Sequence, residues 1–273
     1  MSNIINSGTT IGIAGFGHLG SSIARALING GLMKKKLLLS CRGSEATLAR
    51  AEEAGLSSCM VSTERLFESS DIILLAARPQ DLHSFSGLSY KKQAYVLSFM
   101  AGLPLELLRS VITAPVSRVM VSGPETITDG MGLGVSFPES PEAEAVLAAS
   151  GIERAEIKSE AELDAFTTGI CLPPVLQNIS IPASEAAAAL EALARRFPVY
   201  EQLAPWIDKV VRKSGGAGNP AALANVSTKG GVTEAITTAL ASGASFEEAV
   251  EAGLRRNSEL AAALQRSFVA AAD

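Results

Sequence analysis

The chain has 273 residues and a formal net charge of −5, with 47% hydrophobic and 19% charged residues. This composition is sufficient for a folded core and carries too little charge for a disordered chain. The acidic balance gives no electrostatic basis for binding nucleic acid or an anionic membrane surface, so both partner classes are excluded from our expectations.

The first half of the chain alternates short apolar runs with helical patterns, which is typical of a parallel sheet with crossover helices. Strands are predicted over residues 10–14, 36–40, 58–62, 71–76, 94–99, 118–121 and 132–136. Helices are predicted over residues 19–29, 45–54, 64–68 and 104–111, and a further helix is predicted to begin at Pro79.

The second half has a different texture. From about residue 160 the strand-like runs end, and alanine-rich helical patterns are found over residues 184–196, 200–213, 232–241 and 246–263. We therefore predict an α/β fold in which a Rossmann-type, doubly wound parallel sheet (residues 1–157) is followed by an all-helical domain (residues 158–273).

A glycine-rich motif follows the first predicted strand and opens the first predicted helix. It consists of Gly15, Phe16, Gly17, His18, Leu19 and Gly20, which match the pattern G-x-G-x-x-G. Gly15 permits a tight turn, Gly17 lets the backbone approach a pyrophosphate, and Gly20 lets the helix pack on the strand. The exposed N–H groups and the helix dipole then face an anion. In this strand–turn–helix context the motif predicts a dinucleotide-binding loop rather than a merely structural turn.

The end of the second predicted strand bears on the choice of cofactor. NAD-specific proteins usually place an acid there to bind the ribose 2′-hydroxyl. This sequence has no acid at that position, whereas Ser40, Arg42 and Ser44 are suited to holding a 2′-phosphate. The alternative is that Arg42 is a solvated surface residue. The sequence favours NADP (NADPH) over NAD.

Several further segments resemble pyrroline-5-carboxylate reductase, the NAD(P)H-dependent enzyme that makes proline. They are A-A-R-P-Q at residues 76–80 (A-V-K-P-Q in the family), S-F-M-A-G at 98–102 (S-I-A-A-G), R-V-M at 118–120 (the start of R-V-M-P-N-T-P), V-S-T-K-G-G-V-T at 226–233 (V-T-S-P-G-G-T-T) and R-N-S-E-L at 256–260 (R-S-K-E-L). The segments occur in the family's order and cover most of the chain.

The resemblance implies a fold and a set of roles. The helical domain of the family forms dimers through intertwined helices, so we expect a homodimer or a higher homo-oligomer. The residues implied to line the cofactor are Ala76, Arg78, Pro79 and Ala101, and those implied to line the substrate are Val226, Gly230, Gly231, Val232 and Thr233. Thr233 is implied to stand near the imine nitrogen, and the N–H groups from Gly230 to Thr233 to bind the substrate carboxylate.

The sequence departs from the family in the half that carries the chemistry. Residues 121–123 (V-S-G) replace the family's P-N-T, and residues 170–174 (I-C-L-P-P) replace S-G-S-G-P. Bulkier residues are expected to reshape or narrow the pocket. Lys229 takes the place of a loop proline, and it is either a solvated lysine or a catalytic residue, as a carboxylate anchor or proton donor beside Thr233.

The function implied is hydride transfer from NADPH to a cyclic imine, with pyrroline-5-carboxylate reduced to proline. The alternatives are a reductase of a different imine or keto acid in a specialised pathway, and a non-catalytic NADP-binding regulatory protein. Three dispersed cysteines, without metal or disulfide spacing, predict a cytoplasmic protein without a metal site. The N-terminus shows no secretory signal, and no apolar run approaches the ~20 residues of a membrane span.

Overall fold

The computed structural model describes residues 4–213 and 229–270, with side chains described as far as residue 268. The chain divides into two compact units that meet between Arg154 and Ala155, and the sequence placed this boundary near residue 157. The first unit carries the sheet and the second is built from helices, so the predicted fold class is confirmed. Within the described residues, no helix has the length and apolar character needed to cross a membrane.

The first unit is organised around one seven-stranded sheet with the strand order β2-β1-β3-β4-β5-β6-β7. The strands are β1 (Ile11–Ala14), β2 (Leu37–Ser40), β3 (Ile72–Leu75), β4 (Tyr95–Ser98), β5 (Val116–Val121), β6 (Leu133–Phe137) and β7 (Glu153–Arg154). Strands β1 to β5 run parallel, and β6 is antiparallel to β5. The four residues of β3 are all buried, as expected for a strand covered on both faces.

Helices and short 3₁₀ segments connect the strands of this unit. The α-helices are α1 (His18–Asn29), α2 (Glu45–Glu53), α3 (Thr63–Ser69), α4 (Leu105–Val111), α5 (Pro124–Thr128) and α6 (Pro141–Ala149), and the 3₁₀ segments are Lys34–Lys36, Ser57–Cys59 and Pro79–Phe85. Helix α1 presents Ile23, Ala24 and Leu27 to the core, where they join Ile11 and Ile13 of β1. Each of the buried isoleucine and leucine side chains contributes about 1.5–3 kcal/mol to folding.

The register of the sheet determines where the connecting loops lie. Ala14, the last residue of β1, is paired with Ser40 of β2 on one side and Leu75 of β3 on the other. Leu75 is in turn paired with Ser98, the last residue of β4. The loops that follow these four strands therefore lie along one edge of the sheet, which is where doubly wound folds bind their ligands.

One predicted element of the first unit is wrong, and others are missing from the prediction. Residues 58–62 do not form a strand: the 3₁₀ segment Ser57–Cys59 stands there, followed by one isolated bridge between Leu39 and Met60. The 3₁₀ hydrogen bonds of residues 57–59 use backbone groups that a strand would need for a continuous ladder. Helices α5 and α6 were not predicted, although Ser140 accepts a hydrogen bond from the Ala143 N–H as an N-cap.

The second unit is helical throughout its described residues. It contains α7 (Glu160–Gly169), α8 (Leu172–Asn178), α9 (Ala183–Arg196), α10 (Val199–Lys213), α11 (Val232–Ala241) and α12 (Phe246–Ala270). The first two of these helices were not predicted, whereas the other four match predicted helices, and α12 extends beyond the predicted end at residue 263. Helix α12 packs against α11, α7 and α9.

Candidate functional site

The glycine loop, defined as residues 15–20, has the geometry that the sequence motif predicts. Gly15 has a φ of +105°, and a Cβ atom there would lie 2.5 Å from the carbonyl carbon and oxygen of Ala76. A Cβ atom on Gly20 would collide with the carbonyl oxygen of Gly15. A Cβ atom on Gly17 would meet nothing within 4 Å. The loop is therefore tightly packed at its two ends and open at its centre.

Helix α1 begins directly at the open part of this loop. Gly17 is its N-cap, no side chain caps the helix, and its first turn contains no acidic residue. The first N–H groups of an α-helix have no partner within the helix, and the helix dipole adds partial positive charge there. With twelve residues behind it, this N-terminus fits a pyrophosphate that approaches over Gly17.

The residues between the glycines take different positions. Phe16 is 1% exposed and its side chain lies in the hydrophobic core, so only its backbone can face a ligand. Leu19 packs partly against the same core. His18 is exposed, and its Nε2 lies 3.5 Å from Nη2 of Arg50.

Arg50 is a residue of this site that the sequence analysis missed. It is carried on α2, and its Nη1 donates a hydrogen bond to the carbonyl oxygen of Phe16 at 3.4 Å. A guanidinium group thus lies against the glycine loop, where it adds positive charge for a phosphate. One arginine in a polar helix carries no local motif, so only the packing of α2 reveals it.

Each of the three residues expected to hold a 2′-phosphate makes a contact within the protein. Ser40 is buried, and its carbonyl oxygen accepts a hydrogen bond from the Gly15 N–H at 2.9 Å. The Ser44 hydroxyl lies 2.8 Å from the Thr47 hydroxyl. Arg42 forms an ion pair with Asp81, 2.8 Å between Nη1 and Oδ1. An acid from the segment after β3 thus lies beside Arg42, a second feature that the sequence analysis missed.

The remaining residues expected at the cofactor lie along the same edge of the sheet. Ala76 follows β3, and its N–H donates to the Ala14 carbonyl oxygen at 2.8 Å. Arg78 is exposed and precedes the 3₁₀ segment Pro79–Phe85, in which Pro79 is the first residue. Ala101 is exposed in the turn after β4. The fold therefore gathers the predicted cofactor residues at the ends of β1 to β4.

The V-S-G segment at residues 121–123 has a structural role in this unit. The Ser122 hydroxyl accepts a hydrogen bond from the Leu133 N–H at 3.0 Å and lies 2.6 Å from the Thr126 hydroxyl. The first bond ties the end of β5 to the start of β6, and the second ties it to α5.

In the second unit, the Gly-Gly turn is defined as residues 229–233 and leads into α11. The Gly230 N–H donates to the carboxylate of Glu234, and the Gly230 carbonyl oxygen accepts from Nε of Arg256 at 2.7 Å. Nη1 of Arg256 also contacts the Glu259 carboxylate at 2.9 Å. In this arrangement the Gly230 N–H is used inside the protein, whereas the N–H groups at the start of α11 have no partner within the helix. Lys229 is exposed, and Val226 lies outside the described residues.

Thr233 is buried on α11, with 5% of its surface exposed. Its side chain forms a hydrogen bond with the thiol of Cys171, a residue of the I-C-L-P-P segment. Burial raises the pKa of the Cys171 thiol, while the hydrogen bond from Thr233 acts in the opposite direction. Burial likewise raises the pKa of Tyr200, and Cys171 and Glu251 add to this shift. Thr233 and Cys171, which lie far apart in the sequence, are therefore brought together.

Metal ligands are not clustered in the described part of the chain: no group of three His, Cys, Asp or Glu side chains in residues 4–213 and 229–268 is arranged to hold a metal ion.

Residues 10–102 match the protein family described as "NADP oxidoreductase coenzyme F420-dependent". This segment begins just before β1 and ends after Ala101, so it contains the glycine loop and every residue expected at the cofactor. The match and the geometry of the loop define the class of the protein, which is an NAD(P)-dependent oxidoreductase. No curated protein sequence matches the chain.

Solved structures of pyrroline-5-carboxylate reductases share the fold of the whole chain. The Streptococcus pyogenes enzyme is 19% identical, with a TM-score of 0.58 over 92% of this chain and 98% of that one. The Plasmodium falciparum enzyme, solved with NADP bound, is 18% identical, with a TM-score of 0.56 over 93% and 98%. The Coxiella burnetii enzyme is 18% identical, with a TM-score of 0.56 over 92% and 98%. The resemblance indicated by the sequence motifs is confirmed, and at this identity it establishes the fold.

Proposed function

We propose that this protein is an NAD(P)H-dependent imine reductase that transfers hydride to a cyclic imine, with pyrroline-5-carboxylate as the substrate and proline as the product. The observation that carries the proposal is the glycine loop, which is packed against Ala76 at Gly15 and open at Gly17. The sequence motifs shared with pyrroline-5-carboxylate reductases and the fold shared with their structures support the choice of substrate class.

The residues that would hold the cofactor all lie in the first unit. The backbone of residues 16–20 and the N-terminus of α1 would bind the pyrophosphate, assisted by Arg50. Arg42 would bind a 2′-phosphate, which favours NADPH over NADH. The bound nicotinamide would supply the hydride, and the protein would supply position and electrostatics.

The residues that would hold the substrate lie at the Gly-Gly turn and the start of α11. The N–H groups of Gly231, Val232 and Thr233 point out of a helix N-terminus, which suits a carboxylate. Lys229 adds a cation next to this turn. Val226 completes the set that the resemblance implies.

Thr233 is the residue that we assign to the imine nitrogen. A protonated imine is already a good electrophile, so the reaction does not require a strong acid in the protein. A hydroxyl oxygen that accepts a hydrogen bond from the iminium N–H is sufficient to orient the imine for hydride transfer. The hydrogen bond between Thr233 and Cys171 would help to fix the orientation of this hydroxyl.

The assembly follows from the same resemblance, and the location follows from the three dispersed cysteines. We propose a homodimer, or a higher homo-oligomer, in the cytoplasm, with a small imino acid as the partner and with neither nucleic acid nor membrane involved.

The experiment that tests the proposal is steady-state oxidation of NADPH by the full chain with pyrroline-5-carboxylate, related cyclic imines and keto acids. We expect turnover of pyrroline-5-carboxylate, and we expect Thr233→Ala to lower kcat about 10- to 100-fold, which corresponds to the about 1.5–3 kcal/mol of a hydrogen bond to a charged group. The matched control is Thr237→Ala, one turn further along α11, where the hydroxyl donates only to the Glu234 carbonyl oxygen. This control should retain nearly full activity.

Each other outcome contradicts a stated part of the proposal. If only a different imine or a keto acid is reduced, the protein is a reductase of that compound in a specialised pathway, and pyrroline-5-carboxylate is not its substrate. Binding of NADPH without turnover of any of these compounds would favour a regulatory protein. Equal loss of activity in Thr233→Ala and Thr237→Ala would remove Thr233 from the catalytic step.

A further inference from the structure

The ion pair between Arg42 and Asp81 lies across the edge of the sheet that we assign to the cofactor. Arg42 follows β2, and Asp81 belongs to the 3₁₀ segment Pro79–Phe85 after β3. Because β1 lies between β2 and β3, the pair joins the two loops on either side of the glycine loop. Its 2.8 Å contact therefore links groups on both sides of the helix N-terminus that would bind a pyrophosphate.

The two partners differ strongly in exposure. The Arg42 side chain is 72% exposed, whereas that of Asp81 is only 14% exposed. The carboxylate is thus held in place by its surroundings, while the guanidinium group extends into solvent and is free to turn. An exposed guanidinium gains little net stability from such a pair because water screens the attraction. The pair is therefore easily exchanged for a stronger anion.

A 2′-phosphate is such an anion. It carries a charge of about −1.5 to −2 and offers three acceptor oxygens, whereas Asp81 offers a single negative charge. For Arg42 to bind the phosphate, it must give up Asp81, and the carboxylate would then remain close to the phosphate and repel it. Both effects oppose the phosphorylated nucleotide and neither acts on a ribose 2′-hydroxyl.

We propose that Asp81 is a specificity-determining residue that acts through Arg42 and reduces the preference of the protein for 2′-phosphorylated nucleotides. This inference rests on the proposed function in that the loop must bind a nicotinamide dinucleotide. Arg50 at the glycine loop and Arg78 before Pro79 are cations of the same edge. Within the described residues, neither arginine forms an ion pair with Asp81. Both should therefore assist the binding of NADP⁺ and of NAD⁺.

The experiment measures the dissociation constants of NADP⁺ and NAD⁺ by calorimetry with the full chain, without any turnover. Asp81→Asn keeps the size of the side chain and removes its charge. We expect this variant to bind NADP⁺ about tenfold more tightly, equivalent to about 1.4 kcal/mol, and to bind NAD⁺ within about twofold of the wild type. The control Glu45→Gln removes the same charge from an exposed residue on α2, and it should change both constants by less than about twofold because exposed charges are screened.

A double-mutant cycle tests the route of the effect. Arg42→Gln alone should weaken NADP⁺ selectively, and Asp81→Asn added to Arg42→Gln should then have a clearly smaller effect than Asp81→Asn alone, because only the direct repulsion of the phosphate remains. A full Asp81→Asn effect in the absence of Arg42 would overturn the inference. So would an unchanged ratio of the two constants in Asp81→Asn while both nucleotides still bind. Failure of the wild type to bind either nucleotide would instead overturn the proposed function itself, and the inference with it.

Discussion

The glycine loop of the first unit and the Gly-Gly turn of the second both place small residues before a helix N-terminus, but they are held in shape differently. In the glycine loop, backbone packs on backbone: Gly15 lies against Ala76, and Gly20 lies against Gly15. In the Gly-Gly turn, the side chains of Arg256 and Glu234 hold the backbone of Gly230. A turn held by backbone contacts tolerates no added atoms at the contacting glycines, whereas a turn held by side chains depends on residues elsewhere in the chain.

The largest effect is expected at the open centre of the glycine loop. In Gly17→Ala the new methyl group meets no protein atom within 4 Å, so the free energy of unfolding should stay within about 0.5 kcal/mol of the wild type. The methyl group occupies the space through which the pyrophosphate approaches, and the loss of two charge-assisted hydrogen bonds corresponds to a roughly 100-fold weaker nucleotide. Calorimetric titration and denaturant unfolding measure the two quantities. Nucleotide affinity equal to that of the wild type would show that the loop does not bind the pyrophosphate.

The same methyl group can be added to one glycine with close neighbours in each region. Gly20→Ala should lower the free energy of unfolding by about 2–4 kcal/mol, because the Cβ atom collides with a backbone carbonyl oxygen that cannot move away. Gly230→Ala should cost only about 1–2 kcal/mol, the strain of a left-handed conformation, since its Cβ atom would lie 3.4 Å from a flexible arginine tip. Urea unfolding of both variants measures the two losses in the free energy of unfolding. Equal losses would show that backbone and side-chain contacts hold the two turns equally rigidly.

The smallest effect concerns one tyrosine in each unit whose hydroxyl group is buried. The Tyr200 hydroxyl donates to the Ala165 carbonyl oxygen at 3.3 Å, so Tyr200→Phe should cost about 1 kcal/mol. The buried Tyr90 hydroxyl has no hydrogen-bond partner among the described residues, so Tyr90→Phe should be neutral or stabilise the protein by up to about 1 kcal/mol. Chemical denaturation at neutral pH measures the free energy of unfolding of both variants. A Tyr90→Phe protein that is less stable than the wild type would contradict this prediction.

The pKa of Tyr90 determines how the free energy of unfolding changes with pH in alkaline solution. Burial raises the pKa of Tyr90 to about 12, so the folded chain retains this proton after the unfolded chain has begun to lose its own near pH 10. The contribution is fully present below the unfolded pKa and is lost as pH rises from about 10 towards 12. Tyr90→Phe should therefore unfold with a smaller decrease in stability over this interval than the wild type does.

The same distinction explains how much the sequence alone could predict. The glycine loop and the parallel strands were predictable because each depends on neighbouring residues, as in the buried run Ile72–Leu75. Asp81 and Arg50 were not predictable, since each reaches the site only after β1, β2 and β3 are aligned. Likewise, the contact between Thr233 and Cys171 depends on the packing of the second unit. The false strand at residues 58–62 shows the reverse case, in which a local apolar pattern forms only one bridge to β2, because 3₁₀ hydrogen bonds occupy part of its backbone.

The side chain of Phe16 gives the nucleotide loop a thermodynamic property of its own. It is anchored in the same hydrophobic core as Ile11, Ile23 and Leu27, so the loop is ordered as part of folding. A ligand that arrives at a preorganised loop does not have to compensate for the conformational entropy of ordering it. The conformational entropy of the loop is thus lost when the chain folds and not when the ligand binds. Binding therefore requires no rearrangement of the loop.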